Sequence, residues 1–314
     1  MSVAEKTIVI TGANAGIGFQ MALTFCKEGA HVIMACRSMD KAQQAKGEIL
    51  EEVPNAKVDI IPLDVSELSS INEFVRRFSE QFGQLDILIN NAGIVTPHFN
   101  KNSLGYELHL ATNYLGAFAL TGLMLPYFTK STKTRIVNVC SLAHRFGKFD
   151  FDDPNYERRK FNHWRAYAQS KIATAAFTNE LNRRLQLSGS DVVAVGAHPG
   201  FAATDMGRKT GAVTPRTKFG QWYQDKMEAW IVGPANQAAL PIILAASTEG
   251  LEGGEYFGPT GLFEIKGKPG PAKLNPLAKK VEFGKRIWAT SEALTGVSYL
   301  PDLESESLSL DSAR

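Results

Sequence analysis

The stretch TIVITGANAGIG, residues 7–18, decides the fold. A short run of mostly β-branched residues, 7–11, is followed at once by Gly12, Gly16 and Gly18 and then by an amphipathic segment. Glycines between a strand and a helix permit a tight turn and let the backbone approach a pyrophosphate, while the free N–H groups at the helix start attract phosphates. The stretch therefore predicts a strand–turn–helix unit that binds a dinucleotide.

The same alternation of strand and helix patterns continues along the chain. Short, nearly continuous apolar runs alternate with longer amphipathic segments such as 39–53, as expected for parallel strands that are covered on both faces. The repetition predicts an α/β fold: a doubly wound parallel sheet (Rossmann fold) of about seven strands, with helices on both faces. Beyond the first strand, the predicted strands are 31–36, 58–63, 85–90, 135–140, 192–197 and, as a seventh, a segment near 254–258.

The domain organisation follows from the position at which the alternation of strands and helices ends. We expect residues 1–300 to form a single Rossmann-type catalytic domain, including a substrate loop at about 201–233 and a C-terminal extension with a helix over 283–294. Residues 301–314 are polar and acidic, which predicts a disordered tail.

Composition and charge narrow the class of function. A formal net charge of +2 over 314 residues is too small to indicate nucleic acid or an anionic membrane as a partner. We see neither an apolar run of about 18–20 residues nor a signal peptide, so we expect a cytoplasmic protein without a membrane anchor. The three cysteines and six histidines show no metal-binding spacing, which predicts buried thiols and no metal site.

The end of the second predicted strand indicates which dinucleotide is bound. An NAD site usually carries an acidic residue there to bind the ribose hydroxyls, but no acid occurs between Glu28 and Asp40. Arg37 can pair with a 2′-phosphate and stack on adenine, Ser38 can donate a hydrogen bond, and Lys41 adds charge. This pattern predicts a preference for NADP(H) over NAD(H). The alternative is that Arg37 is only a solvated loop cation.

The segment AYAQSK, residues 166–171, places Tyr167 and Lys171 one helical turn apart on the same helix face. Alone, such a pair is more typical of a surface than of an active site. Beside a bound nicotinamide, the same pair would have a catalytic role. Hydride transfer to a carbonyl leaves an oxyanion that needs a proton, and a nearby ammonium lowers the pKa of a phenol toward neutrality, so that the phenol can supply this proton.

Several motifs follow one another between residue 7 and about 260: TGANAGIG (11–18), LDV (63–65), NNAG (90–93), Asn113, Ser141, Tyr167 with Lys171, and HPG (198–200) followed by Thr204. In this order they resemble the motifs of the short-chain dehydrogenase/reductase family. The link that follows Ser141 and the ending GEYFGPTGLFE look most like the retinol dehydrogenase and protochlorophyllide-reductase-like branch. Ser141 and Tyr167 are 26 positions apart, about twice the usual family spacing, which leaves open whether the link remodels the pocket.

The resemblance implies a catalytic tetrad of Asn113, Ser141, Tyr167 and Lys171. Tyr167 would act as general acid and base, Lys171 would also bind the nicotinamide ribose, Ser141 would donate to the substrate oxygen, and Asn113 would hold a relay water. The cofactor-binding residues expected from the motifs are Gly12, Asn14, Gly16, Ile17, Gly18, Arg37, Ser38, Asp64, Val65, Asn91, Ala92, Gly93, Tyr167, Lys171, Pro199, Gly200 and Thr204.

The substrate side is rich in aromatic residues. His144, Phe146, Trp164, Phe201 and Met206 predict a pocket for a bulky apolar aldehyde, ketone or alcohol, although the same residues could merely cap the core. The leading interpretation is an NADP(H)-dependent oxidoreductase, a carbonyl reductase or alcohol dehydrogenase. The alternatives are an enone C=C reductase and a non-catalytic NADP(H)-binding sensor, whose mark would be a broken tetrad. Family members often form homodimers or homotetramers, so the resemblance implies a homodimer or homotetramer here unless the C-terminal extension interferes.

Overall fold

The computed structural model describes residues 2–130, 134–201 and 234–302. Its centre is one eight-stranded sheet with strand order β3-β2-β1-β4-β5-β6-β7-β8, parallel throughout except for the last strand. The doubly wound parallel sheet predicted from sequence is thereby confirmed. The strands are β1 (Thr7–Thr11), β2 (His31–Cys36), β3 (Lys57–Pro62), β4 (Ile87–Asn90), β5 (Arg135–Val139), β6 (Val193–Ala197), β7 (Tyr256–Pro259) and β8 (Pro269–Pro271).

Helices cover both faces of the sheet and bury two apolar layers against it. One layer contains the apolar faces of α1, α2 and α7, and the other contains those of α3, α5, α6 and α8. Burial of apolar surface on both faces is the reason that the central strands are apolar along their whole length. The helices are α1 (Gly16–Lys27), α2 (Met39–Glu52), α3 (Leu68–Gln81), α4 (Leu108–Leu110), α5 (Gly116–Met124), α6 (His163–Leu187), α7 (Ala235–Ser247) and α8 (Val281–Thr295).

The sheet has one strand more than the seven expected. The extra strand, β8, is the segment Pro-Gly-Pro, and it pairs antiparallel with β7 at the edge of the sheet. Proline cannot donate a ladder hydrogen bond, so the sequence argues against a strand there. At a sheet edge, however, proline is tolerated, because the outward side of the strand needs no partner.

A π-helical turn, Ala111–Leu115, joins α4 to α5 and carries Asn113. The Glu107 carboxylate starts this helical stretch by accepting hydrogen bonds from the N–H groups of His109 and Leu110. Gly116 follows the turn, and a Cβ there would lie 1.8 Å from the Val65 carbonyl oxygen, so only glycine allows this close approach to the loop after β3. The helical stretch Leu108–Tyr127 is long and apolar enough to cross a bilayer, but 83% of its most apolar window is buried inside the protein, as in a core helix.

The C-terminal segment packs across α5 and α6. Trp288 of α8 is completely buried, with its ring centroid 5.1 Å from that of Phe118 and 5.9 Å from that of Phe177. Tyr299 adds a third aromatic contact, 4.7 Å from Trp288 between centroids. The C-terminal extension therefore packs into the core as far as Tyr299. Of the predicted tail, residues 301–314, Asp302 forms ion pairs with Arg183 and Lys285, and residues 303–314 lie outside the described residues.

Candidate active site

The glycine-rich turn after β1 has the conformation that its residues require. Gly12 and Gly16 adopt positive φ values of 67° and 55°, a region that side chains with a Cβ rarely enter. A Cβ on Gly18 would lie 2.3 Å from the Gly12 carbonyl oxygen. Since Ala15 supplies no side-chain cap, the start of α1 opens directly onto a neighbouring cavity.

That cavity, about 420 Å³ in volume, lies at the carboxyl edge of the strands. It is the place where an open α/β sheet binds its ligand. At Gly16, where a Cβ would meet no protein atom within 4 Å, only backbone borders the cavity. Sequence reasoning did not include Ala15, Ala35, Leu63, Ile94 and Thr112 among its walls. The predicted cofactor residues that line it are Gly12, Asn14, Gly16, Ile17, Gly18, Arg37, Ser38, Asp64, Val65, Asn91, Ala92 and Gly93.

Arg37 stands at the rim of this cavity with 73% of its side chain exposed. Its Nη1 donates a long hydrogen bond of 3.4 Å to Asp64 Oδ2. Asp64 itself is held by Ser66, whose N–H and hydroxyl both donate to Oδ1. The guanidinium is thus near the cavity but only weakly engaged, so that pairing with an anion would cost little.

Buried polar side chains connect the strand ends beneath the site. Thr11 Oγ1 accepts hydrogen bonds from the N–H groups of Asn91 and Ala92, both at 2.9 Å. Asn90 Nδ2 donates to Asn138 Oδ1 at 2.8 Å across the β4–β5 ladder. These bonds tie the NNAG segment to β1 and β5, and neither Thr11 nor Asn138 was recognised from sequence.

Asn113 fixes the segment that follows β4. Its Oδ1 accepts from the Ile94 N–H at 2.7 Å, while Nδ2 donates to the Ile94 carbonyl and to Ser170 Oγ, both at 3.0 Å. Its own carbonyl accepts from the Thr174 hydroxyl of α6. The π-helical turn therefore places Asn113 between the cavity wall and α6.

Ser141, Tyr167 and Lys171 come together beside the end of β5. The Tyr167 hydroxyl lies near the Ser141 side chain, which acts to lower the pKa of the phenol. Lys171 is buried, its Nζ donates to the Val139 carbonyl at 2.9 Å, and it lies 5.9 Å from the centroid of the Tyr167 ring. The pair is therefore not a solvated surface pair, and the structure brings all four tetrad residues to one place.

Burial dominates the titration of this pair. Desolvation raises the pKa of Tyr167, and the neighbouring Ser141 side chain acts in the opposite direction. Desolvation lowers the pKa of Lys171 to about 8, with the neighbouring Cys140 opposing it. The pKa of Tyr167 is raised, not lowered as expected from sequence, because removing a phenolate from water costs more free energy than the Ser141 side chain restores.

The depressed Lys171 pKa predicts a pH-dependent stability. Between pH 8 and the ordinary lysine value of 10.5, the unfolded chain binds more protons at this site, so the free energy of unfolding rises with pH. Across this window, urea unfolding should show the parent gaining roughly 3 kcal/mol relative to the Lys171→Met variant. The comparison cancels other titrating groups, and a constant difference between pH 7.5 and 10.5 would contradict the burial of a titrating ammonium.

The long link between Ser141 and α6 is an ordered structure. The Asp153 carboxylate accepts hydrogen bonds from the backbone N–H groups of Glu157, Arg158 and Arg159. Arg159 Nη2 then donates to Gln169 Oε1 of α6 at 2.7 Å. The link is thereby fastened to the helix that carries Tyr167, two residues from it.

The aromatic residues of the predicted substrate pocket have different environments. Phe146 is 85% exposed, and Trp164 and Phe201 are about half exposed. His144 is completely buried, and its Nδ1 lies 2.5 Å from the Ser141 carbonyl oxygen. This contact with the backbone stabilises the turn that begins at Ser141. Met206, like Thr204 among the cofactor residues, lies outside the described residues.

The cysteine thiols and the potential metal ligands of the described residues do not form a second reactive site. Burial raises the pKa of all three thiols, Cys26, Cys36 and Cys140, to about 11, which disfavours the nucleophilic thiolate. Within residues 2–130, 134–201 and 234–302, no group of three or more His, Cys, Asp or Glu side chains is placed to hold a metal ion.

Sequence comparison identifies the class of protein that this fold and site define. The sequence model of the short chain dehydrogenase family matches residues 6–214. The chain therefore belongs to the short-chain dehydrogenase family, whose members are oxidoreductases that bind a nicotinamide cofactor and act on small molecules.

Curated relatives place the chain in the retinol dehydrogenase-like branch. It is 40% identical to Retinol dehydrogenase 13 of Homo sapiens over 299 residues, which cover 93% of this chain and 85% of that protein. It is 35% identical to Retinol dehydrogenase 12 of Homo sapiens, over 94% of this chain and 87% of that one. The chain also superposes on a crystal structure of an uncharacterised protein from Mycobacterium paratuberculosis, with a TM-score of 0.77, 35% identity and 96% coverage of both chains.

Proposed function

We propose that this protein is an NADP(H)-dependent oxidoreductase that interconverts a bulky apolar aldehyde or ketone and the corresponding alcohol. The observation that carries the proposal is the placement of Tyr167 beside Ser141 and the buried Lys171, next to the wall of the dinucleotide cavity: a Cβ on Gly93, which lines that cavity, would lie 3.7 Å from Lys171 Nζ.

The residues of the tetrad have separate roles in this proposal. A bound nicotinamide supplies or accepts the hydride. In the reductive direction, the Tyr167 hydroxyl donates its proton to the substrate oxygen, and the Ser141 hydroxyl donates a hydrogen bond to the same oxygen. The Lys171 ammonium stabilises the phenolate left on Tyr167. Asn113 holds Ile94 and Ser170 in place, so the wall beside the reacting atoms stays fixed.

The cofactor preference is supported by Arg37 at the cavity rim. An arginine can form two parallel charge-assisted hydrogen bonds to a 2′-phosphate, and at a rim as exposed as this one the two bonds together contribute about 1.5–3 kcal/mol. The Arg37→Ala variant should therefore lose about 10–100-fold in kcat/KM for NADPH while kcat/KM for NADH changes little. Steady-state kinetics with both cofactors measure this ratio.

Arg76 provides a matched control for that experiment. It is an exposed arginine on α3, paired with Glu73 and Glu80. Arg76→Ala should leave both kcat/KM values unchanged. An Arg37→Ala variant that lost NADPH and NADH activity equally would contradict recognition of the 2′-phosphate.

The substrate class is supported by the exposed rings of Phe146, Trp164 and Phe201 and by the names of the relatives. The decisive experiment is a screen of NADPH oxidation against a varied carbonyl library that includes retinal, with NADH in parallel. We expect long or polycyclic apolar carbonyls to be reduced most efficiently. Preference for small charged carbonyls would overturn the proposed substrate class.

A further inference from the structure

Glu264 lies in a backbone conformation that calls for an explanation. It ends the short helical turn Leu262–Glu264 after β7, and both Phe263 and Glu264 have positive φ values, 53° and 59°. Residues with a Cβ pay an energetic cost in this region, so such a conformation persists only where the surroundings hold it. The contacts of the Glu264 side chain show what holds it.

The Glu264 carboxylate joins three separate segments. One oxygen, Oε2, forms an ion pair with Arg145 and lies 3.1 Å from Nε2 of His198. The other, Oε1, accepts a hydrogen bond from the Lys273 N–H at 3.1 Å. With only 12% of its side chain exposed, Glu264 is a largely buried anion whose partners come from the segments after β5, β6 and β8.

His198 links the Glu264 carboxylate to the turn after β6. Its Nδ1 accepts a hydrogen bond from the Gly200 N–H at 3.1 Å, so Nε2 carries the proton and donates it to Glu264. Burial lowers the pKa of His198 to about 4, with Glu264 opposing it, which keeps the ring neutral in this tautomer. A Cβ on Gly258 would lie 2.1 Å from the ring, so β7 leaves room for His198 only because a glycine stands there.

Arg145 connects the same carboxylate to the catalytic serine. It belongs to the helical turn Leu142–Phe146, which begins directly after Ser141. On the other side, the Phe201 N–H donates to the Ile265 carbonyl at 2.8 Å, next to Glu264. One carboxylate thus fixes the turn that starts at Ser141 and the turn that contains Pro199 and Gly200, and it does not line the cavity formed by the glycine-rich turn.

We propose that Glu264 is a positioning residue that fixes the Ser141 turn and the His198–Gly200 turn around the nicotinamide half of the cofactor, without contributing to the adenosine half. The proposal rests on the proposed function, since it assumes that the nicotinamide binds between these two turns. It explains why the chain accepts two consecutive left-handed residues at this point.

Binding of two ligands separates this role from a general structural one. Adenosine 2′,5′-bisphosphate reports on the adenosine half alone, and NADPH reports on both halves. By calorimetry, Glu264→Ala should bind the bisphosphate as the parent does but bind NADPH about tenfold more weakly, and its kcat should fall about 10–100-fold because misplaced reacting groups are slow. Glu264→Gln, which keeps one acceptor oxygen and loses the charge opposite Arg145, should give NADPH affinity and kcat values between those of the parent and of Glu264→Ala.

Glu255 provides the matched control. It lies at the other end of β7, where its carboxylate accepts hydrogen bonds from the N–H groups of Glu252 and Gly253. Glu255→Gln should leave both affinities and kcat unchanged.

Two results would overturn the positioning role: equal weakening of both ligands in Glu264→Ala, or parental NADPH affinity and kcat in that variant. If the parent bound NADH but not the bisphosphate, the preference for NADP(H) would fail instead. The Glu264 comparison would then use NADH and ADP-ribose, with the same expectations.

Discussion

Replacing Tyr167 with phenylalanine should lower kcat by about 10²–10⁴-fold, the range typical for loss of a general acid or base. The substitution removes the hydroxyl that lies near Ser141 and keeps the ring beside Lys171. Because the dinucleotide cavity is formed by other residues, the affinity for NADPH should change little. Single-turnover reduction of the best substrate, with NADPH binding measured in parallel, tests both parts.

Tyr106 offers the control for this substitution. Its hydroxyl donates to the Leu294 carbonyl of α8, and Tyr106 does not line the dinucleotide cavity, so Tyr106→Phe should keep nearly full kcat. A Tyr167→Phe variant as active as the parent would show that the proton comes from another group. Loss of NADPH affinity together with kcat would instead show that Tyr167 acts mainly in binding.

Truncation of Trp288 to alanine should lower the free energy of unfolding by about 3–5 kcal/mol, as for other fully buried aromatic residues. Trp288 contacts Phe118, Phe177 and Tyr299, and the Arg184 guanidinium lies 4.4 Å from its ring centroid. The variant would leave a cavity between α8 and the helices that position Asn113 and Lys171. Urea unfolding followed by circular dichroism measures the change.

An exposed aromatic residue serves as the comparison for Trp288. Phe146→Ala should alter the unfolding free energy by less than about 1 kcal/mol, since the ring is 85% exposed. If Trp288→Ala were equally harmless, the packing of the C-terminal segment would contribute nothing to the core. Such a result would contradict its place between α5 and α6.

Strands buried on both faces were the part of the fold most accessible to sequence reasoning. The ranges Thr7–Thr11 and His31–Cys36 agree with the predicted strands at both ends. Short apolar, β-branched runs that are flanked by glycine or charged residues seldom form any other secondary structure. Helix α1 begins at Gly16, earlier than its amphipathic pattern indicated. The glycines that form the phosphate turn are also the first residues of the helix, and no local preference of glycine predicts this.

Features that depend on contacts between distant segments could not be predicted. The π-helical turn at Asn113 has no pattern of its own and is held by partners such as Ile94 and Ser170 from elsewhere in the chain. From the sequence alone, Glu264 and Arg145 cannot be distinguished from other charged loop residues, because only the fold brings them together as an ion pair. In the same way, the pKa direction at Tyr167 depends on burial, which a motif does not reveal.

The edge strand β8 has a consequence for contacts between molecules. Gly258 is paired with Gly270, and the neighbouring bonds run from Thr260 N–H to the Lys268 carbonyl and from Ala272 N–H to the Tyr256 carbonyl, so the residues that face β7 are the even-numbered ones. Pro269 and Pro271 therefore face outward. If an extended segment of another molecule paired with this edge, two positions of β8 would have no backbone N–H to donate to it. Intermolecular extension of the sheet is therefore disfavoured at this edge.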